Sequence, residues 1–341
     1  MTSDSNLPNS SWATMNQMIN GFRTTQMVCV AARLGVADLM ADGPMHVAQL
    51  AVTVGAHEGA LYRLLRALAS LDIFTEVSDQ TFGLTPLAEL LRPGASGSQY
   101  AHALTVIQPW WWEAWGDLLH SVQTGETAFD SVHGMGLFEH LNQNAEAAQI
   151  FNGFMTSMTN AQAEAIVTAY DFGSAHVVVD IAGGQGALVR AVLEKYPGPQ
   201  AVIFDQPSVV SDASRLIREA GLEARCQVVG GNFFESVPAG GDIYMMKQII
   251  HDWDDKDAVA ILRNCRKAMT GAAALLIIER VVPPANQPGE GKLADITMLV
   301  MAGGLERTES EYRDLLQAGG FQLRKIIPTV SPYHIVEAVP I

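Results

Sequence analysis

The stretch from His176 to Gly186, HVVVDIAGGQG, constrains the fold more than any other part of the chain. Its three consecutive valines are typical of a buried strand, and Asp180 ends the run. The glycines that follow lack a Cβ and tolerate positive φ, so the backbone can turn sharply and approach a ligand where a helix begins. A strict dinucleotide fingerprint requires glycine or alanine at the position of Val189. We predict a strand, a glycine loop (residues 182–186) and a helix, with a nucleotide-type cofactor at the loop.

Strands and helices alternate from this stretch onward. Such alternation implies a doubly wound, mostly parallel sheet with right-handed crossovers. Two further strands, at 321–329 and 333–339, flank a short Ser331-Pro332 turn, which predicts that the last strand is antiparallel. The other predicted strands cover residues 177–181, 201–205, 226–230, 242–246 and 274–279, with helices at 186–196, 208–221 and 255–269 between them.

The N-terminal part of the chain has a mainly helical pattern. Residues 12–40 carry apolar side chains at helical spacing, and residues 45–92 contain two short helices followed by a small hairpin, which is a winged-helix pattern. A winged helix that binds DNA needs positive charge for phosphate contacts, whereas this chain has a net charge of −15 and a pI of about 4.9. We therefore interpret the winged helix as a dimerisation element and expect no nucleic-acid partner.

Composition narrows the class of protein further. Hydrophobic residues make up 48% of the chain and charged residues 17%, which suits a large core and an extensive subunit interface. The three cysteines are far apart and lack zinc-binding spacing, which predicts reduced thiols, a cytoplasmic protein and no metal. The N-terminus lacks the pattern of a signal peptide, and no apolar run is long enough to predict a membrane span.

Polar side chains stand at or just beyond the carboxyl ends of successive predicted strands, where ligands bind in an open parallel sheet. Asp205 ends the second strand, where an acid suits hydrogen bonding to ribose hydroxyls. Glu279 ends a strand that is otherwise apolar, so its charge needs a partner. The polar residues in this set are Asp180, Asp205, Asn232, Lys247, His251 and Glu279.

One histidine of this edge has the surroundings of a base. His251 is followed directly by Asp252, and nearby carboxylates favour a protonated imidazole and can make it a better base. Farther along the chain, Thr308 and Glu311 have the spacing of a helix capping box. That box leaves Glu306 free for another role.

Six motifs follow one another along the second half of the chain: DIAGGQG, FDQPSVV, GNFFESVP, DIYMMKQIIHDWDD, IIERVVP and GGLERTESEYRDLLQAGGF. With these motifs the sequence resembles the S-adenosylmethionine-dependent small-molecule O-methyltransferases of the caffeate and hydroxyindole type, in their bacterial secondary-metabolite branch. The resemblance implies an α/β fold. A Rossmann-like class I methyltransferase domain, with a mostly parallel sheet and an antiparallel last strand, would be preceded by an α-rich winged-helix dimerisation domain. It also implies a homodimer formed through the N-terminal domain.

The resemblance implies roles for individual residues. His251 matches the general base of the family, and Glu279 and Glu306 match the two acids that flank it. Asn232 stands where the family usually has an aspartate. The implied cofactor-binding residues are Thr159, Asp180, Gly183, Gly184, Gly186, Asp205, Gln206, Asn232, Phe233 and Lys247. The implied substrate-binding residues are Trp110, Phe151, Phe154, Met155, Asp252, Met298 and Met301.

The implied activity is methyl transfer from S-adenosylmethionine to a hydroxyl group, expected to be phenolic, of an aromatic small molecule. S-adenosylhomocysteine is the expected product, and neither a metal nor a membrane is expected to take part. The expected domains are residues 1–100 for dimerisation, 101–170 for helices that line the substrate pocket, and 171–341 for cofactor binding.

Two alternatives to this activity stay open. The same fold can keep the cofactor as a scaffold while it performs decarboxylation, hydroxylation or cyclisation. The winged helix can also belong to a regulator that senses a small molecule, although the acidic pI argues against DNA binding by such a regulator.

Overall fold

A computed structural model describes residues 11–341 of the chain. The chain forms two compact units, the first ending at Gln108 and the second covering Pro109–Ile341. None of the helices in residues 11–341 combines the length and the apolar character that a bilayer crossing requires.

The first unit is mainly helical and contains one small antiparallel sheet. The predicted winged-helix hairpin is confirmed, and a third, two-residue strand pairs beside it. The helices are α1 (Ser11–Ile19), α2 (Gly21–Leu34), α3 (Val36–Leu39), α4 (Val47–Val54), α5 (Glu58–Ala69), α6 (Pro86–Glu89) and α7 (Tyr100–Val106). The strands are β1 (Met45–His46), β2 (Phe74–Ser78) and β3 (Thr81–Leu84), in the order β1-β3-β2.

The helical region predicted at 12–40 is divided into three helices. Asn20 separates α1 from α2, and Gly35 ends α2 in the left-handed conformation with φ at 67°. Glycine adopts this conformation without a steric penalty, so the chain changes direction there. Apolar side chains of α2 to α5 and of the hairpin form the core of the unit, whereas α1 exposes Trp12 and Met18.

The second unit begins with a group of helices and continues as an alternation of strands and helices. Asn144 caps the long helix α12, because its side chain accepts a hydrogen bond from the backbone N–H of Ala147 at 3.1 Å. The helices are α8 (Pro109–Gly116), α9 (Leu118–Thr124), α10 (Ala128–His133), α11 (Leu137–Gln143), α12 (Ala145–Ala169), α13 (Ala187–Lys195), α14 (Ala213–Glu219), α15 (Asp255–Ala268), α16 (Glu290–Met301) and α17 (Glu309–Gly319).

A seven-stranded sheet forms the centre of the second unit. Its strands are β4 (Val177–Ile181), β5 (Gln200–Asp205), β6 (Cys226–Gly230), β7 (Ile243–Lys247), β8 (Ala274–Glu279), β9 (Phe321–Pro328) and β10 (His334–Pro340), in the order β6-β5-β4-β7-β8-β10-β9. The strand pairs β6-β5, β5-β4, β4-β7 and β7-β8 are parallel. Strand β10 is antiparallel to both of its neighbours, β8 and β9. The predicted parallel sheet and its antiparallel last strand are therefore confirmed.

Helices cover both faces of this sheet. Successive strand residues point to opposite faces, so Val178 packs with Val192 of α13 while Val179 packs with Ile261 of α15. Burial on both faces explains why the central strands are continuous apolar runs in the sequence. It also leaves the carboxyl edge of the sheet as the place where polar side chains collect.

Candidate active site

The glycine loop joins β4 to α13, and two of its glycines are too closely packed to carry a side chain. Gly186 precedes α13 with φ at 81°, and a Cβ there would overlap the Ile203 side chain. A Cβ on Gly183 would lie 2.8 Å from the carboxylate of Asp180. The loop therefore keeps its backbone close to the sheet edge, as a backbone-lined ligand site requires.

Asp205 at the end of β5 pins the glycine loop in place. One carboxylate oxygen accepts the backbone N–H of Gly184 at 2.9 Å, and the other accepts that of Gln206 at 2.6 Å. Burial raises the pKa of Asp205 above its ordinary value, although these two hydrogen bonds oppose the rise. The structure thus brings together three predicted cofactor-binding residues, Gly184, Asp205 and Gln206.

Asn232 and Phe233 follow β6 at the same edge. The Asn232 side chain accepts the backbone N–H of Phe234 at 3.0 Å, which holds the turn after β6. The Phe233 ring lies edge-on to Trp253, with ring centroids 5.9 Å apart. Asp205 ends β5, and both residues follow β6, which is the strand paired with β5.

Two buried titratable groups, the carboxyl of Asp180 and the amine of Lys247, lie on the adjacent strands β4 and β7. Burial, together with the charge of Asp205, raises the pKa of Asp180 to about 8. Burial and the nearby Arg280 lower the pKa of Lys247 to about 7. The Lys247 ammonium also donates to the amide oxygen of Gln248 and lies 4.9 Å from the centre of the Tyr333 ring. Both groups would therefore gain from a ligand that carries the opposite charge.

His251 lies in a 3₁₀ turn, Ile250–Asp252, which we call the histidine turn. The imidazole is 3% exposed, its Nδ1 lies 2.9 Å from Oε1 of Glu306, and its Nε2 lies 3.5 Å from Oδ1 of Asp252. Burial alone would lower the pKa of the ring. The surrounding carboxylates, that of Asp252 first, outweigh burial and raise the pKa of His251 to about 9.

Glu279 holds the main chain of the histidine turn. Its Oε1 accepts the backbone N–H of Ile249 at 3.0 Å and that of His251 at 3.2 Å. Its Oε2 accepts the hydroxyl of Tyr312, a fully buried residue of α17. The buried charge of Glu279, for which we predicted a partner, is therefore satisfied by three hydrogen-bond donors.

Glu306 belongs to a segment just before α17. Its backbone N–H donates to Asp295 of α16 at 2.9 Å, and the Arg280 guanidinium lies 3.7 Å from the same carboxylate oxygen that contacts His251. The predicted capping box is present at the start of α17, so Glu306 is left to face the imidazole. The three predicted catalytic residues thus converge on one turn.

The helices α8, α10, α11 and α16 share an apolar cluster that contains Trp110 and Met301. Trp110 is 7% exposed and Met301 is 2% exposed, and Phe151 of α12 packs against the cluster. Phe154 is also buried, while Met155 and Met298 are partly exposed. Two of the seven predicted substrate-binding residues are therefore core side chains of this cluster.

Helix α12 also reaches the glycine loop. The Thr156 hydroxyl donates to the Gln185 side chain at 3.3 Å. The hydroxyl of Thr159, the predicted cofactor contact, donates to the carbonyl of Met155 at 2.9 Å within the helix. Thr156, which the sequence did not indicate, is therefore the threonine that meets the loop.

Four further residues of this site were missed at the sequence level: Arg280, Arg307, Tyr312 and Tyr333. Little in the sequence pointed to the two arginines, because an arginine side chain usually lies on the surface. Tyr312 lies on the apolar face of α17, and a buried tyrosine hydroxyl usually finds a partner, which was the stronger signal. Among residues 11–341, no group of three or more histidine, cysteine or acidic side chains is placed to hold a metal ion.

The chain resembles known proteins over most of its length. Residues 115–322 match the family model of the O-methyltransferase domain, and residues 16–93 match that of the O-methyltransferase dimerisation domain. The phenazine O-methyltransferase PhzM of Lysobacter antibioticus is 45% identical over 325 residues, which cover 95% of each chain.

Solved structures show the same fold. The structure of LaPhzM has a TM-score of 0.94 at 44% identity, covering 98% of this chain and 100% of that chain. NcsB1, an O-methyltransferase from neocarzinostatin biosynthesis, has a TM-score of 0.80 at 33% identity, covering 93% of this chain and 96% of that chain. NcsB1 was solved with S-adenosylmethionine and 2-hydroxy-5-methyl naphthoic acid. The chain therefore belongs to the S-adenosylmethionine-dependent O-methyltransferase family.

Proposed function

We propose that the protein methylates a phenolic hydroxyl of an aromatic small molecule, with His251 as the general base. The observation that carries this proposal is the buried contact of 2.9 Å between His251 Nδ1 and Glu306 Oε1. A carboxylate that accepts the Nδ1 proton leaves the lone pair on Nε2, where a base can use it. A phenol has a pKa near 10, so a neutral imidazole whose pKa is about 9 can take up its proton.

The cofactor site fits S-adenosylmethionine, which supplies a methyl group activated on a sulfonium. Gly183 and Gly186 leave no room for a Cβ, so the glycine loop presents close-packed backbone, and Asp180 is a buried carboxyl group suited to an ammonium group. Asp205 would bind the ribose hydroxyls. The remaining proposed contacts are Thr159, Gly183, Gly184, Gly186, Gln206, Asn232, Phe233 and Lys247.

The histidine turn then acts on the acceptor. His251 takes the phenolic proton at Nε2, and Glu306 and Asp252 stabilise the imidazolium that forms. Glu279 keeps the main chain of the turn in place through two backbone hydrogen bonds. Most of the rate comes from holding the hydroxyl in line for transfer, since positioning converts a bimolecular encounter into a step within one complex.

The acceptor site that we propose lies beside the apolar cluster of the second unit. Trp110, Phe151, Phe154, Met155, Met298 and Met301 would shape its apolar walls, and Asp252 would supply a polar contact. Flat aromatic acceptors suit walls of aromatic and methionine side chains. The naphthoic acid in the NcsB1 structure belongs to this class of molecule. Residues 101–170 would thus line the acceptor pocket, and residues 171–341 would bind the cofactor.

We also propose that the enzyme is a homodimer through residues 1–100. A dimerisation-domain model matches residues 16–93, and α1 exposes a row of large apolar side chains that a subunit interface would cover. These side chains are Trp12, Met15, Met18 and Ile19, with Phe22 at the start of α2.

The cytoplasm is the compartment that we propose. Cys29 and Cys265 are buried, Cys226 is partly buried, and all three are free thiols. Free thiols persist in reducing compartments. Activity in the cytoplasmic fraction of the producing cell is the expected result.

A screen with methyl-labelled S-adenosylmethionine tests the proposed reaction. The acceptors should include phenolic polyketides, hydroxyphenazines and simple catechols, each beside an analogue that lacks the hydroxyl. Label should enter only the hydroxylated member of a pair, with S-adenosylhomocysteine formed in equal amount. Turnover of an acceptor without label transfer would contradict the proposal and favour the cofactor as a scaffold.

A further inference from the structure

We propose that Arg307 is a positioning residue that fixes His251 and Glu306 relative to each other. The inference deepens the proposed function, because it depends on His251 acting as the base. It concerns how two segments 55 residues apart in the chain are kept in register.

Arg307 holds the main chain on both sides of His251. Its side chain is completely buried, and its guanidinium donates to the carbonyl of Ile250 at 3.1 Å and to that of Trp253 at 3.0 Å. One of these carbonyls precedes His251 in the chain and the other follows it. A planar guanidinium with donors in a fixed fork can satisfy both at once, which an ammonium group cannot do in the same geometry.

The same residue belongs to the segment that carries Glu306, its immediate neighbour in the chain. The backbone N–H of Leu305 donates to the carbonyl of His251 at 2.8 Å, and the Arg307 carbonyl accepts the N–H of Val282 at 2.9 Å. A Cβ on Gly304 would overlap the His251 carbonyl oxygen. The segment 304–307 therefore lies directly against the histidine turn, with Arg307 bridging the two.

The carboxylate of Asp255 compensates the buried charge of Arg307. Oδ1 of Asp255 accepts from Nη2 of Arg307 at 2.8 Å and from Nε at 3.1 Å. The Asp255 side chain is 75% exposed, so this end of the bridge reaches the surface. A buried arginine is costly without such partners, and its use here is consistent with a need for fixed geometry.

The geometry matters because the base contact joins the two segments. His251 is on the histidine turn and Glu306 is on the bridged segment, so any slip between the segments lengthens the 2.9 Å contact. The charged groups that face the imidazole are Asp252, Glu279 and Glu306, with Arg280 behind Glu306. A slip of about 1 Å in such a constellation can lower a rate by about 100-fold.

Arg307→Lys in the full-length protein tests the inference, because it keeps the charge and removes the fork. We expect kcat to fall by about 100-fold while S-adenosylhomocysteine binds as in the wild type, because its proposed contacts lie outside the histidine turn and the segment 304–307. Titration of nitrogen-labelled histidine should show the His251 pKa lowered toward its ordinary value, since the Glu306 contact is loosened. The matched control is Arg313→Lys on α17, where the side chain is 56% exposed and pairs with Glu309. It should leave every readout unchanged.

Asp255→Ala provides a milder variant in case Arg307→Lys does not fold. It should lower kcat and the His251 pKa in the same direction by a smaller amount. A folded Arg307→Lys or Asp255→Ala protein with wild-type kcat and wild-type His251 pKa would overturn the inference. His251→Ala in the same assay separates the two proposals. If it keeps full activity, the base assignment fails, whereas the histidine titration still reports whether Arg307 holds the contact.

Discussion

Replacing Glu306 with glutamine should lower the pKa of His251 while keeping the shape of the site. Glu306 Oε1 lies 2.9 Å from His251 Nδ1 in a buried contact. Glutamine keeps an oxygen that can accept the same proton, so the substitution removes charge and little else. It therefore isolates the electrostatic part of the interaction.

The size of the effect follows from the surrounding charges. An opposite charge at this distance shifts a pKa by about 1–3 units. Arg280 lies 3.7 Å from the same Glu306 oxygen and already offsets part of its charge, which places the expected shift at about 2 units. From its wild-type value of about 9, the His251 pKa should fall to about 7 in Glu306→Gln. The protonated form of His251 is then stabilised by about 3 kcal/mol less than in the wild type.

The pH dependence of methyl transfer measures this shift. The base must be neutral to accept a proton, so activity is present above the His251 pKa and is lost as the pH falls through it. In Glu306→Gln the loss should occur at lower pH, and the maximal rate should be smaller because the base is weaker. Titration of labelled histidine reports the same pKa without an acceptor.

A surface variant controls for the change in net charge. Glu309 on α17 pairs with Arg313 in solvent, so Glu309→Gln should leave both the pH profile and the histidine titration unchanged. If Glu306→Gln lost activity at the same pH as the wild type, the charge of Glu306 would not control the pKa of His251.

Three further substitutions have defined outcomes. Asp180→Asn should lose less stability than the wild type between about pH 4 and pH 8, because burial raises the carboxyl pKa to about 8 and the unfolded chain releases this proton near pH 4 while the native state keeps it; denaturation at about pH 4 and pH 8 checks this, and S-adenosylhomocysteine should bind more weakly. Gly304→Ala should melt at lower temperature and lose activity because its Cβ would overlap the histidine turn, whereas Gly153→Ala, with nothing within 4 Å of a Cβ, should keep both. Phe22→Lys should convert the dimer to a monomer by light scattering, and Val330→Lys, at a 97% exposed position, should remain dimeric.

The central sheet was predictable from sequence because its signals are local. The strand predicted at 177–181 is observed as Val177–Ile181, and the one predicted at 274–279 as Ala274–Glu279, because buried parallel strands are bounded apolar runs. Strand β1, of two residues, carries too little pattern to be found. The predicted helix at 208–221 begins only at Ala213, since a turn follows β5 first.

The residues of the candidate site could be predicted from the sequence, whereas several of their contacts could not. The resemblance indicated His251 and both acids. It did not indicate that Glu279 bonds to the backbone of the histidine turn while Glu306 bonds to the ring, because that division depends on how segments far apart in sequence meet. Arg307 was missed for the same reason: nothing near it in sequence distinguishes a buried guanidinium from an exposed one.

Methyl transfer by His251→Ala to a matched pair of acceptors, a phenol and the corresponding aromatic amine, tests whether His251 is the general base. The amine has a free lone pair and needs no proton removed before transfer, whereas the phenol does. We expect the variant, with cofactor affinity intact, to lose about 10²–10⁴-fold in rate on the phenol and far less on any amine that the wild type accepts. A variant that methylates the phenol at the wild-type rate would show that His251 is not the base.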